Sequence, residues 1–172
     1  ASSLVEVTGS VSDVDEVAPA VTTVSSTAAN GSYNAGDVIA ITVSFDEAVF
    51  VSGTPQLTLE TGDTDRVVNY SSGSGSSTLV FEYTVQPGDT SADLNYVSTT
   101  ALTGSITDAA GNSAVLTLPD LAGGNSLAGG KDITVDTTNP VFSSTGIATA
   151  IAENSGASQE VYNAEADADT GV

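Results

Sequence analysis

The chain has 172 residues, 22 of them acidic, with Arg66 and Lys131 as its two bases and a formal charge of −20. There is no basic surface to displace counterions from phosphates or to bind anionic lipid, which argues against nucleic acid and anionic membrane surfaces as partners. Cys, His, Met and Trp are absent; without thiolate or imidazole ligands, zinc, iron and copper chemistry is removed and the oxygen-ligated cations, calcium and magnesium, are left.

So much uncompensated charge opposes compaction, and a divalent cation would relieve it. Disorder is the competing reading of an acidic chain, but apolar residues make up 40% of this one and are patterned. All apolar runs are short, so neither a signal peptide nor a membrane span is expected. The richness in Ser, Thr, Gly, Val and Ala suits a long extracellular repeat protein of which this chain is expected to be a part.

In chain order, Val21-Thr-Thr-Val24 opens a series of predicted strands. Val38-Ile-Ala-Ile-Thr-Val-Ser-Phe45 is a strong β-branched run, and Gln56-Leu-Thr-Leu-Glu60 alternates cleanly. Arg66-Val-Val-Asn-Tyr70 follows the turn Thr61-Gly-Asp-Thr-Asp65. Thr78-Leu-Val-Phe-Glu-Tyr-Thr-Val85 follows a flexible link from Ser71 to Ser77. Leu94-Asn-Tyr-Val97 and Ile133-Thr-Val135 complete the set. No segment carries a helical period. About seven short strands with frequent turns predict an all-β, immunoglobulin-like antiparallel sandwich. Tyr96, just after the turn Gln86-Pro-Gly-Asp89, matches a tyrosine corner; an ordinary core tyrosine is the alternative.

The flanks read as joints. Val14-Asp-Glu-Val-Ala-Pro19 and Val135-Asp-Thr-Thr-Asn-Pro140 share Val-Asp, three residues, then Pro, and their prolines lie 121 residues apart. That is one sandwich and its linker, so the chain reads as one unit of an array. Residues 1–18 are the end of a preceding module, 19–139 the sandwich, and 140–172 the start of a further module.

Residues 19–140 resemble the bacterial Ig-like repeats of large surface adhesins of the RTX and biofilm type. The motifs that carry the resemblance are Tyr33-Asn-Ala-Gly-Asp37, Phe45-Asp-Glu-Ala-Val49, Ile106-Thr-Asp-Ala-Ala-Gly-Asn112 and Ile133-Thr-Val-Asp-Thr-Thr-Asn-Pro140, spanning about seventy percent of the chain. The stretch after Pro140 is similar to the opening of a cadherin-like domain, with Ala152-Glu-Asn154 and Asp167-Ala-Asp-Thr-Gly171. The resemblance implies an extracellular, cell-surface location and calcium at module junctions. On the cadherin-like pattern the matching positions are Asp136, Asn139, Glu153, Asp167 and Asp169; Thr137 and Thr138 stand where further acids and amides would be.

Calcium takes six to eight oxygens, which one loop seldom supplies, so ligands converge from several loops at one end of a sandwich. Asp46 and Glu47 end a strand, Asp108 and Asn112 bracket a tight loop in which Gly111 allows a left-handed turn, and Asp136 begins the outgoing linker. These are expected to face one junction, with Asp13, Asp15 and Glu16 as the matching cluster at the incoming joint. The bland alternative is a solvated acidic surface, and Asp63, Asp65, Asp89 and Asp120 are read as turn residues of that kind.

Catalysis is not expected. A Ser nucleophile has no marked base, and Asp169-Thr-Gly171 is a single copy where aspartic-protease chemistry needs two carboxylates sharing a proton. Lys131 reads as an edge-strand charge, with an isopeptide crosslink as the sharper alternative. The leading function is a calcium-rigidified spacer in adhesion or biofilm formation, with neighbouring modules or identical subunits as partners. The alternatives are a module binding cell-surface glycans or proteins, and a filament subunit assembling by strand exchange.

Overall fold

The computed structural model describes residues 14–139. The chain divides into two compact units, Ala1–Thr138 and Asn139–Val172, and the described β-structure belongs to the first. The expected cadherin-like opening, with Glu153, Asp167 and Asp169, and Asp13 at the incoming joint lie outside the described residues.

The described residues form nine strands and one helical turn: β1 (Val21–Ser26), β2 (Gly31–Tyr33), β3 (Val38–Glu60), β4 (Arg66–Ser72), β5 (Ser76–Thr84), β6 (Thr90–Ser91), β7 (Asn95–Tyr96), β8 (Leu102–Thr107), α1 (Leu127–Gly130) and β9 (Ile133–Asp136). The fold is an all-β sandwich, as expected. The runs Val38–Phe45 and Gln56–Glu60 prove to be the two halves of β3, a strand of 23 residues. Each half alternates: Ile39, Ile41, Val43 and Phe45 point inward from the first, Leu57 and Leu59 from the second. A pleated strand sends every second side chain to one face, so this pattern commits both halves to a common core.

The first half of β3 pairs antiparallel with β1, Val24 opposite Val43, and on its other edge with β5, Ile41 opposite Phe81. The end of β4 then joins β5 through Tyr70 and Phe81. The order β1-β3-β5-β4 follows the A-B-E-D layer of an immunoglobulin-like sandwich. The second half of β3 lies in the other layer, with Leu57 opposite Val68 of β4 on one edge and Leu102 of β8 on the other, and Leu59 opposite Tyr96 of β7. A separate small sheet has the order β2-β9-β6, and in it β2 runs parallel to β9; Leu94, just before β7, donates to the Ile133 carbonyl of β9 at 2.8 Å. Ladder pairing between β3 and β5 breaks between Ser44 and Val49, so Asp46 and Glu47 sit where β3 leaves one layer for the other.

Three features depart from the sequence expectations. First, β8 carried no strand signal because Gly104 stands at its centre. That glycine has φ +128°, and a Cβ there would lie 2.6 Å from Cα of Pro55. The absent side chain is what lets β8 close on β3. Second, Tyr96 is buried, but its hydroxyl donates to the Pro119 carbonyl, 23 residues downstream. It therefore anchors the long connection from β8 to β9, whereas a tyrosine corner bonds a few residues upstream. Third, Asp89 is a core carboxylate as well as a turn residue. It is 1% exposed, pairs with Arg66 at 2.7 Å, accepts from the Tyr83 hydroxyl at 2.7 Å and accepts from the Gln86 amide at 2.9 Å. Burial raises its pKa, but the bonds from Arg66, Tyr83 and Gln86 outweigh burial and hold the carboxyl below its ordinary value. The Lys131 ammonium donates to the Ala28 carbonyl at 2.8 Å. Among the described residues no helix is long and apolar enough to cross a membrane.

Two outcomes follow. Gly104→Ala forces a side chain into the Pro55 backbone at positive φ and should destabilise the fold by about 2 kcal/mol in urea unfolding. Asp89→Asn weakens three charge-assisted hydrogen bonds and should cost about 2–3 kcal/mol at pH 7. Because the folded carboxyl is more acidic than the unfolded one, this stability is present above about pH 4 and lost as pH falls through the depressed folded value. The difference between wild type and Asp89→Asn should therefore shrink in acid.

Candidate metal centre

One carboxylate oxygen each from Asp15, Glu47 and Asp108 lie within 4.8 Å of one another. The three residues come from separate parts of the chain: the incoming segment before β1, the point where β3 changes layers, and the loop after β8. Asp15 is exposed, Glu47 half-buried and Asp108 buried.

The loop after β8 is built around Asp108. Its amide donates to the Asn112 carbonyl at 3.1 Å, and its carboxylate receives the Asn112 backbone amide at 2.8 Å and the Asn112 side-chain amide at 2.7 Å. Gly111, at φ +95°, supplies the left-handed turn that closes the loop. Burial raises the Asp108 pKa, but the bonds from Asn112 and from the backbone of Gly111 and Ala110 hold the carboxyl ionised, below its ordinary value.

The same Asn112 side-chain amide also reaches the carbonyls of Asp15 at 3.0 Å and Val17 at 3.3 Å. Asn112 thus staples the incoming segment to the loop. Asp46 acts in parallel: its carboxylate accepts from the Ala20 amide at 2.8 Å, and its own amide donates to the Ala20 carbonyl at 3.1 Å. Val115 donates to the Pro19 carbonyl at 2.7 Å. Asp15 itself bends the segment by accepting from the Val17 amide at 3.1 Å.

Of the expected ligands, Glu47, Asp108, Asn112 and Asp46 do gather at one pole. The grouping differs from expectation in two respects. Asp15 joins them, making one centre of what was expected to be an incoming and an outgoing cluster. Asp136 does not: it lies opposite Thr90 in β6, next to Thr137, whose hydroxyl donates to the Asp89 carbonyl. Asp89 and its turn follow the end of β5, where Thr84 pairs with Val38 at the start of β3. Asp136 therefore occupies the pole at the beginning of β3, and Asp46 the pole at the end of its first half, on the order of 25 Å away. At its own pole Asp136 accepts from the Thr138 hydroxyl and amide, which lower its pKa. Glu16 is exposed and outside the triad, and Asn139 begins the second unit. The sequence motif Asp-Ala-Ala-Gly-Asn signalled the loop, but gave no signal that its asparagine would hold the incoming segment.

No protein-family model, no curated protein and no solved structure matches this chain. The chemistry of the centre is therefore read from its residues. Three carboxylates with no base facing them among the described residues form a hard, anionic oxygen set suited to calcium or magnesium. Their repulsion is visible in Glu47, whose pKa is raised first by partial burial and then by Asp15, Asp108 and Asp46.

For an acid with a raised folded pKa, the stabilising contribution is present below the unfolded pKa of about 4.3 and lost as pH rises through the folded value. In chelator, Glu47→Gln should therefore melt above wild type at pH 7 and level with it near pH 4. Thermal melts across that range check the sign.

Proposed function

We propose that this chain is a calcium-binding structural module of a secreted cell-surface adhesin, and that calcium fixes the incoming segment to the body of the sandwich. The observation that carries the reading is the convergence of Asp15, Glu47 and Asp108: a ligand from the segment before the first strand meets two from the fold itself. A cation there is bound by both parts and so removes freedom from the linker between them.

The donor set suits this role. Three carboxylates, each binding through one or two oxygens, supply three to six of the six to eight that calcium takes, with backbone carbonyls and water for the rest. Magnesium demands a tighter octahedron and keeps more of its water, so it should bind the same oxygens more weakly. Neutralising part of a charge of −20 also relieves self-repulsion. Adhesion or biofilm formation outside a bacterial cell, where calcium reaches millimolar levels, is the setting this design fits.

With dissociation constants of roughly 10⁻⁴ to 10⁻³ M, typical of extracellular modules, about 10 mM calcium should stabilise the fold by about 1.4–2.7 kcal/mol over chelator. The melting temperature should rise by roughly 3–10 °C. Asp108→Asn should weaken binding by at least about tenfold in calorimetry. Identical melts in calcium and EDTA would overturn the reading.

A further inference from the structure

The first layer is incomplete on one side of β5. β4 pairs with β5 only at Tyr70–Phe81 and Ser72–Val80; its earlier residues turn away to pair with β3 from Arg66 to Asn69. A wedge opens between the two strands. It has a volume of about 530 Å³, is narrow where Tyr70 meets Phe81, and ends where Arg66 reaches across to Asp89 at 2.7 Å.

Both walls of the wedge present backbone. The Ala40 carbonyl accepts from Thr27 on the β1 side, so Ala40 and its partner Glu82 form a non-hydrogen-bonded pair. In an antiparallel ladder the amides and carbonyls of Glu82 and Thr84 then point away from β3, into the wedge. On the other wall, Thr58 bonds to Ala101 and Val97, away from its partner Val67. The backbone of Val67 and Asn69 therefore also faces the wedge. The Thr84 carbonyl accepts from the exposed Gln86 side chain at 2.9 Å. A strand fills about 4.8 Å by 10 Å in cross-section and advances about 3.3 Å per residue. That is on the order of 160 Å³ each, so the wedge holds about three residues.

We propose that this wedge takes an extended, cationic peptide segment of another protein, which inserts as a short strand and hydrogen-bonds to β4 and β5 at once. Charge selects the occupant. Arg66 is matched by Asp89, while Glu82 is exposed at the rim and receives only the Ser71 hydroxyl among the described residues. The overall charge of −20 draws in Lys- or Arg-bearing segments and repels a second copy of this chain. Backbone pairing supplies the affinity and alternate side chains the selectivity, as in other strand additions.

The test titrates the full chain, in chelator, with a short peptide of alternating valine and lysine, following backbone amide shifts by NMR. The same peptide with every second amide N-methylated keeps its charge and loses one hydrogen-bonding edge. We expect shifts at Val67, Asn69, Glu82 and Thr84, binding about tenfold weaker for the methylated peptide, and about twofold or more weaker binding to Glu82→Gln. Equal binding of the two peptides overturns the proposal. So do shifts confined to Asp15, Glu47 and Asp108, which mark charge attraction alone. A neutral oligosaccharide that moves the four wedge amides when the peptide does not also overturns it, and assigns the wedge to sugar.

Discussion

The passage of β3 from one layer to the other is the constraint on which the rest of the molecule depends. One strand of 23 residues supplies the centre of both sheets, so its alternation must be right twice. Ile39, Ile41 and Val43 face the same interior as Leu57 and Leu59. A slip of one residue in either half would turn its apolar set to solvent. The crossing also releases Asp46 and Glu47 from ladder pairing and leaves their side chains to serve the pole. β4 makes the mirror crossing, from β3 to β5, and leaves the wedge behind it. Both candidate binding regions are thus by-products of strands shared between layers.

Charge is handled differently at three places. At Asp89 a buried carboxylate is held by Arg66, Tyr83 and Gln86, which makes its ionised form part of the fold. At Asp108 the partners are neutral amides of its own loop, so the negative charge is stabilised without being cancelled. Among the described residues Glu47 has neither kind of help and feels its acidic neighbours directly. A cation at this pole would therefore meet one carboxylate already fixed in place and another that gains most from its arrival.

Much of the fold was legible in the sequence because β-branched runs with period-two alternation dominate the strands of the first layer. Val38–Phe45 and Thr78–Val85 sit in the middle of that layer, where packing and propensity agree. The failures share a cause. β8 is interrupted by Gly104, and β2 consists of Gly31, Ser32 and Tyr33; each is held by close backbone approach or parallel pairing with a distant strand, which short-range patterns do not encode. Asp89 looked like a turn residue and is one, but its second role depends on Arg66, 23 residues earlier. For the acidic pole, the residue types and the loop motif were readable. The partner supplied by Asp15 was not, because it rests on Asn112 reaching a segment 97 residues earlier in sequence. Asp136 was misplaced for the converse reason: sequence order does not say which end of a sandwich a strand terminus occupies.

The opposite poles of Ala20 and Asp136 have a mechanical consequence. Tension applied through the two flanks pulls β1 towards one end and β9 towards the other. β2, which follows β1, runs parallel to β9, so their shared hydrogen bonds are loaded side by side and must give way together. An antiparallel edge pulled from one end would open one bond at a time. Asn112 and Asp46 clamp the incoming segment at its pole, so a pull on that segment would pass directly to the loop after β8 and to β3.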